Sequence, residues 1–187
     1  MFAFKNNYYL YIENTKILDL SLIKKRNKFN IIYRNDRKFE KIEKLISFKK
    51  KCKEKGVKFF IANNAHIATN CKADGLYISS HNKNYYNNLN LKIIGSAHNQ
   101  KEFFEKEKQG CSEIVLSRLF KTEYLHKKGY LGVIKFNLLR KNTNLPIIAL
   151  GGIRDVNLNK LKLVSSNSLA ILSEIKKKPV KIINRLF

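Results

Sequence analysis

Eight short runs of β-branched, aromatic or aliphatic residues punctuate this chain, each followed by a longer and more polar stretch. They are YYLYI at 8–12, NIIYR at 30–34, KFFIA at 58–62, GLYIS at 75–79, KIIGSA at 92–97, EIVLS at 113–117, PIIAL at 146–150 and SLAILS at 168–173. Runs of this length and character predict strands. In the stretches between them, apolar residues recur at helical spacing: Phe39, Ile42, Leu45, Ile46 and Phe48 in one, Ile134, Leu138 and the adjoining Leu139 in another, both series set among Lys, Arg and Asn. Strand and helix alternating throughout generate a parallel sheet. Strands of such a sheet are covered on both faces and read as unbroken apolar runs, as PIIAL, KFFIA and EIVLS do.

Eight repeats predict a closed (β/α)₈ TIM barrel. The 187 residues fall slightly below the span of about 200 or more usual for that fold, so helices and loops must be short; an open doubly wound sheet is the alternative. The same length predicts a single domain over 1–187, with core enough for one unit and too few residues for two full-sized ones. No Gly- or Ser-rich linker divides the chain. The Asn- and Tyr-rich HNKNYYNNLN at 81–90 predicts an irregular loop or a very short helix.

Charge changes the picture less than its size suggests. Lys and Arg number 38 against 14 Asp and Glu, a formal net charge of +24, which points toward nucleic acid or another polyanion. The lysines, however, are spread over nearly every predicted helix amid abundant Asn, Ile and Tyr, the residue usage of an A/T-rich coding sequence. No basic stripe, aromatic platform or RNA-binding signature accompanies them. The charge therefore reads as compositional drift, with a general attraction for phosphorylated small molecules as a lesser reading and no specific nucleic acid expected. Cys52, Cys71 and Cys111 are odd in number and lack CxxC or Cys/His spacing, which argues against a disulfide framework or zinc site. No apolar run approaches bilayer-spanning length, and the opening MFAFKNNYYLYIEN has no uninterrupted apolar core of a secretory signal. A cytoplasmic protein without membrane partners is the expectation.

In a barrel of this kind the C-terminal ends of the strands face the reacting groups. Those ends carry Arg34, Asn63, Ser79 with Ser80, Ser96 with His98, Ser117 with Arg118, Gly151 with Gly152, and Ser173. PIIALGGI at 146–153 is the most informative piece: two glycines directly after a buried strand let backbone approach a ligand and turn N–H groups toward an anion. Leu172 and Ser173 precede a helix expected near Glu174, and the loops after strands seven and eight are the usual phosphate grip of the fold. Without a ligand the same residues would be a tight turn and a helix N-cap.

KADGLYIS at 72–79, IIGSAHNQKEFFEKEKQGCSEIVLSRLFKT at 93–122 and PIIALGGI at 146–153 together resemble, in order and spacing, the signatures of the thiamine phosphate synthase/TenI family. The resemblance extends over roughly 30–175. It implies a (β/α)₈ barrel that joins hydroxymethylpyrimidine pyrophosphate to thiazole phosphate or, in the TenI branch, a thiazole tautomerase, and it implies Mg²⁺ as cofactor.

Carried over residue by residue, the resemblance divides the site. For thiazole phosphate it implies Thr122 after strand six, Gly151 and Gly152 after strand seven, and Leu172 with Ser173 after strand eight. For the pyrimidine and its pyrophosphate it implies Arg34, Asn63 and Ser96. The family's Gln-x-Arg-x-Lys after strand two reads Ile32-Tyr33-Arg34-Asn35-Asp36 here, keeping only the arginine. The Asn-Asp ending strand three reads Ala62-Asn63, and the second magnesium aspartate, after strand four, is Asn82. Mg²⁺ prefers carboxylate and phosphate oxygens, which two amides do not replace. The Thr-Lys closing the strand-six loop reads Tyr124-Leu125, with His126, Lys127 and Lys128 near enough for Lys127 to supply the cation. The TenI histidine position on strand six holds Arg118.

His66, His81, His98 and His126 are scattered, with no pair at metal-ligand spacing. His66 reads as structural or exposed; His98, after Ser96, is the one candidate for acid–base work. Two readings follow: a thiamine phosphate synthase-type transferase, or a degenerate relative that binds a thiazole or thiamine monophosphate as tautomerase, carrier or regulator. A polyanion-binding protein, resting on charge alone, is the third.

Overall fold

The computed structural model describes residues 6–23, 27–86, 88–122 and 129–177. Eight strands, β1 (Asn7–Ile12), β2 (Phe29–Tyr33), β3 (Lys58–Ala62), β4 (Gly75–Ile78), β5 (Lys92–Ala97), β6 (Glu113–Ser117), β7 (Ile147–Leu150) and β8 (Ser168–Ile171), pair in sequence order into a closed barrel. Every pairing is parallel, and β8 returns to β1 with Asn7 opposite Ser168. Closure rather than an open sheet follows from this last pairing.

Alternating residues of each strand face opposite ways and build two cores. Tyr9, Tyr11, Ile32, Phe60, Ala62, Tyr77, Ile94, Val115, Ile148 and Ala170 fill the interior. Large and small side chains complement each other there: Tyr9 packs on Phe60 with ring centres 6.0 Å apart, Tyr11 meets Tyr77 edge-on at 5.6 Å, and Ala62 and Ala170 make room. At the floor the Tyr9 hydroxyl donates to Glu113 at 2.8 Å, and Glu113 also pairs with Lys92. Burial, followed by the Glu113 charge, pushes the Tyr9 hydroxyl far above the ordinary tyrosine range.

The outer core lies between sheet and helices. Leu45, Phe48 and Cys52 of α1 (Ile42–Glu54), Ala68 of α2 (Ala65–Asn70), Phe103 of α3 (Gln100–Lys108) and Phe136 of α4 (Gly132–Arg140) are buried there. Each fully buried large apolar side chain stabilises the fold by roughly 1.5–3 kcal/mol. Side-chain caps fix two helix starts: Asn64 accepts from Ile67 N–H and Asn99 from Glu102 N–H.

The structure corrects the expected alternation of strand and helix. Among the described residues, the β1–β2 connection holds only a 3₁₀ turn, Leu20–Leu22, and the β4–β5 connection no helix, while a 3₁₀ helix, Asp155–Leu163, replaces an α-helix between β7 and β8. This is how a short chain closes the fold. The apolar series on α4 also reads differently: Ile134 and Leu138 are 78% and 58% exposed, and Phe136 is the residue that turns inward. The last helix, α5 (Ser173–Lys177), begins at Ser173 itself, which is therefore its first residue and not its cap.

Candidate functional site

The strand ends enclose a cavity of about 200 Å³. Its wall brings together Arg34, Ser79 and Ser80, Ser96 and His98, Ser117 and Arg118, Thr122, Gly151 and Gly152, and Leu172 with Ser173. Strand alternation explains the convergence. Ser79, Ser96 and Ser117 continue the inward-facing series of Tyr77, Ile94 and Val115 one step beyond the packed interior. Leu150 and Ala170 close the cavity from below.

The phosphate-side wall is built from backbone. The segment after β6 continues alongside the end of β7, with Leu119 N–H donating to Leu150 O at 2.9 Å and Phe120 N–H to Gly151 O at 3.0 Å. Gly151 and Gly152 both have positive φ, +106° and +66°. A Cβ on Gly152 would stand 2.5 Å from the carbonyl oxygens of Phe120 and Lys121, and one on Gly151 would stand 3.0 Å from Cβ of Arg118. Only glycine permits this approach. Asn157 fastens the turn, donating to Gly152 O at 2.7 Å and accepting from Arg154 N–H at 2.9 Å. Across it the Thr122 hydroxyl is shut away from solvent with no hydrogen-bond partner among the described residues. Such a hydroxyl is an acceptor and donor held ready for a ligand.

Three arginines, Arg34, Arg118 and Arg154, and two histidines, His81 and His98, line the cavity, and no carboxylate side chain of the described residues does. An anion is the ligand class this favours. Arg34 is bonded to Asp36, its Nε lying 3.1 Å from each carboxylate oxygen. Partial burial works against the Arg34 charge, but Asp36 and the neighbouring Tyr77 and Tyr11 outweigh it and hold its pKa above the ordinary arginine value. His98 is oriented by Ser117: Nδ1 lies 3.0 Å from both the carbonyl oxygen and Oγ of Ser117, while His98 N–H donates to Glu102 at 2.8 Å. A carbonyl can only accept, so that contact calls for a proton on Nδ1.

Asn63 and Asn82 lie outside this wall. The Asn63 side-chain oxygen accepts from Ser79 N–H at 2.8 Å, and that of Asn82 accepts from Asn84 N–H at 3.0 Å. Both are already committed within the fold. Among the described residues no three His, Cys, Asp or Glu side chains gather as a metal site. The donor set therefore does not fit Mg²⁺ bound in the manner the resemblance implies, since neither charged oxygens nor uncommitted amide oxygens stand at the two positions.

A family model described as thiamine monophosphate synthase matches residues 17–175. The chain belongs to this thiamine monophosphate synthase family. Thiamine-phosphate synthase of Pelagibacter ubique is 31% identical over 182 residues, 90% of this chain and 87% of that protein. A thiamine-phosphate synthase of Prochlorococcus marinus is 32% identical over 137 residues, 71% of this chain. The chain spans less than half the length of three Prochlorococcus relatives, 39%, 37% and 48%. Among solved structures, thiamine phosphate pyrophosphorylase from Pyrococcus furiosus superposes with a TM-score of 0.73 at 17% identity, covering 97% of each chain, which shows the shared fold.

Within this family frame, the sequence located most of the wall. It missed Tyr77, His81 and Arg154, although strand alternation signals Tyr77, and Arg154 follows the Gly-Gly-Ile turn directly. Lys127, with Tyr124, Leu125, His126 and Lys128, lies outside the described residues. His66 stays on the surface of α2, within hydrogen-bonding distance of Asn70 at 3.0 Å. No helix among the described residues is long and apolar enough to cross a membrane.

Proposed function

We propose that the chain is a thiamine-phosphate synthase-type transferase that joins hydroxymethylpyrimidine pyrophosphate to thiazole phosphate. The observation that carries this is the cationic cavity, lined by no carboxylate side chain of the described residues and walled by the Gly151-Gly152 turn, at the strand ends of a barrel of this family. The thiazole phosphate is taken by the Gly151-Gly152 backbone, the Leu172-Ser173 segment and the Thr122 hydroxyl. Arg34 and Ser96 face the pyrimidine pyrophosphate; Asn63 acts behind them through Ser79, and Lys127 belongs to the same half by resemblance.

In the reaction the C–O bond to pyrophosphate breaks, its electron pair leaves with the pyrophosphate, and the thiazole nitrogen forms the new C–N bond. Charge grows on the departing oxygens, and the guanidinium groups beside them stabilise it in proportion to how dry the cavity is. His98, held by Ser117, turns a polar ring edge toward the reacting groups. A cytoplasmic location and a single domain over 1–187 complete the reading.

Incubation of purified protein with both substrates, followed by chromatography of thiamine phosphate, tests the proposal. Product above the no-protein background supports it. Saturable binding of thiazole phosphate without product replaces it with a monophosphate-binding relative, and neither product nor binding overturns it.

A further inference from the structure

Lys106 on α3 is completely buried, and its ammonium group meets three oxygens: Ser79 O at 2.9 Å, Asn82 O at 2.9 Å and Gln109 Oε1 at 2.8 Å. An ammonium has three protons, and all three are used. The Gln109 amide continues the bracing, donating to Asn82 O at 3.0 Å and Asn84 O at 2.9 Å. The lysine stem runs over Gly95 of β5, where a Cβ would come within 2.8 Å of the Lys106 Cδ and 2.7 Å of the Cys111 Sγ. Gly95 is the slot through which the stem reaches the loop.

The loop so gripped is the one after β4, which presents Ser79, Ser80 and His81 to the cavity and carries Asn82 at the family's metal position. Shut away from water, the ammonium is solvated by this cage of oxygens instead. A ring of backbone and amide oxygens around a central positive charge is also how a protein fixes a bound cation. Here that charge is covalently part of the chain.

We propose that the diphosphate half of the cavity works without a divalent cation, its anion held by arginine side chains, while Lys106 acts as a positioning residue that fastens the β4 loop from within. The choice of a diphosphate as ligand rests on the proposed transferase reading; independence from metal does not rest on turnover.

Titration calorimetry of the whole chain with sodium pyrophosphate, in EDTA and then in millimolar Mg²⁺, tests the metal side. Equal affinity within about twofold supports the inference whether or not the protein forms thiamine phosphate. Binding seen only with Mg²⁺, or tightened more than tenfold by it, overturns the inference and leaves the transferase reading intact; no binding in either condition also overturns it. Lys106→Met tests the loop: pyrophosphate affinity should fall at least tenfold while inorganic phosphate, taken by the Gly151-Gly152 side, binds as before. An equal loss for both ligands, or none, removes the positioning role. Should that variant not fold, Gln109→Leu, which takes away one acceptor and the amide brace, is read by the same split.

Discussion

Arg34 and Asp36, two residues apart on the loop after β2, form an ion pair with Nη2 of the guanidinium 3.0 Å from Oδ2 of the carboxylate. The partners' side chains are 38% and 63% exposed, so the pair stabilises the fold by well under about 1 kcal/mol once solvent screening is counted. Its larger effect is on the ligand, because Asp36 sets a negative charge beside a guanidinium that faces the cavity.

Asp36→Asn should tighten pyrophosphate binding by about two- to fivefold at low salt, with the melting temperature nearly unchanged, and the gain should fade above roughly 0.5 M salt as screening shortens the reach of charge. Calorimetry at two salt concentrations checks this. A gain of the same size at both concentrations would point to altered loop shape instead of electrostatics.

Thr122→Val separates stability from binding. The wild-type hydroxyl is buried without a partner among the described residues, and leaving a polar group so costs about 1–3 kcal/mol. The valine variant should therefore unfold at equal or higher urea concentration than wild type. Its affinity for inorganic phosphate should drop about tenfold, the worth of one hydrogen bond to a charged ligand. Unchanged affinity would place the phosphate elsewhere.

Gly152→Ala should be damaging on both counts. The added methyl meets two backbone carbonyl oxygens at 2.5 Å at a φ of +66°, so the turn must move away from the segment carrying Thr122. Strain of this kind costs of order 1–3 kcal/mol. Urea unfolding should register that loss, and phosphate binding should disappear from calorimetry. Retained binding with unchanged stability would contradict the close packing described.

The thiols set an alkaline limit. Burial pushes the Cys52 and Cys111 thiols up from an ordinary value of 9.0 to about 12. The folded state therefore keeps protons that the unfolded chain releases above pH 9, and the contribution to stability, complete below pH 9, declines as pH rises toward 12. Denaturant midpoints measured from pH 8 to 11 should fall across this window, and Cys52→Ala with Cys111→Ala should flatten the fall. In the native protein at pH 8 both thiols should resist a thiol reagent that labels them in denaturant.

The eight strands were legible because a parallel barrel writes each one as an unbroken apolar run, and all eight predicted runs overlap a strand of the structure. Helices were less so. Ile134 and Leu138 have helical spacing but sit on the outer face of α4, and Phe136 between them is the anchor; spacing alone cannot say which stripe turns inward when the helix is only nine residues long. The cavity wall was largely readable because residues at strand ends are fixed by the barrel's geometry. Lys106 was not. In sequence it is one lysine in the helical run QKEFFEKEK, and only the stem's passage over Gly95 distinguishes it from its solvated neighbours.

The hydrogen bonds that carry the β6–β7 ladder past its last strand residues, Leu119 to Leu150 and Phe120 to Gly151, bear on the timing of disorder and order. Backbone already tied to the sheet has little freedom left to lose when an anion arrives. The entropy of arranging this wall was surrendered when the barrel closed, so a ligand meets a finished surface, and its heat of binding should reflect desolvation and charge with scarcely any folding in it.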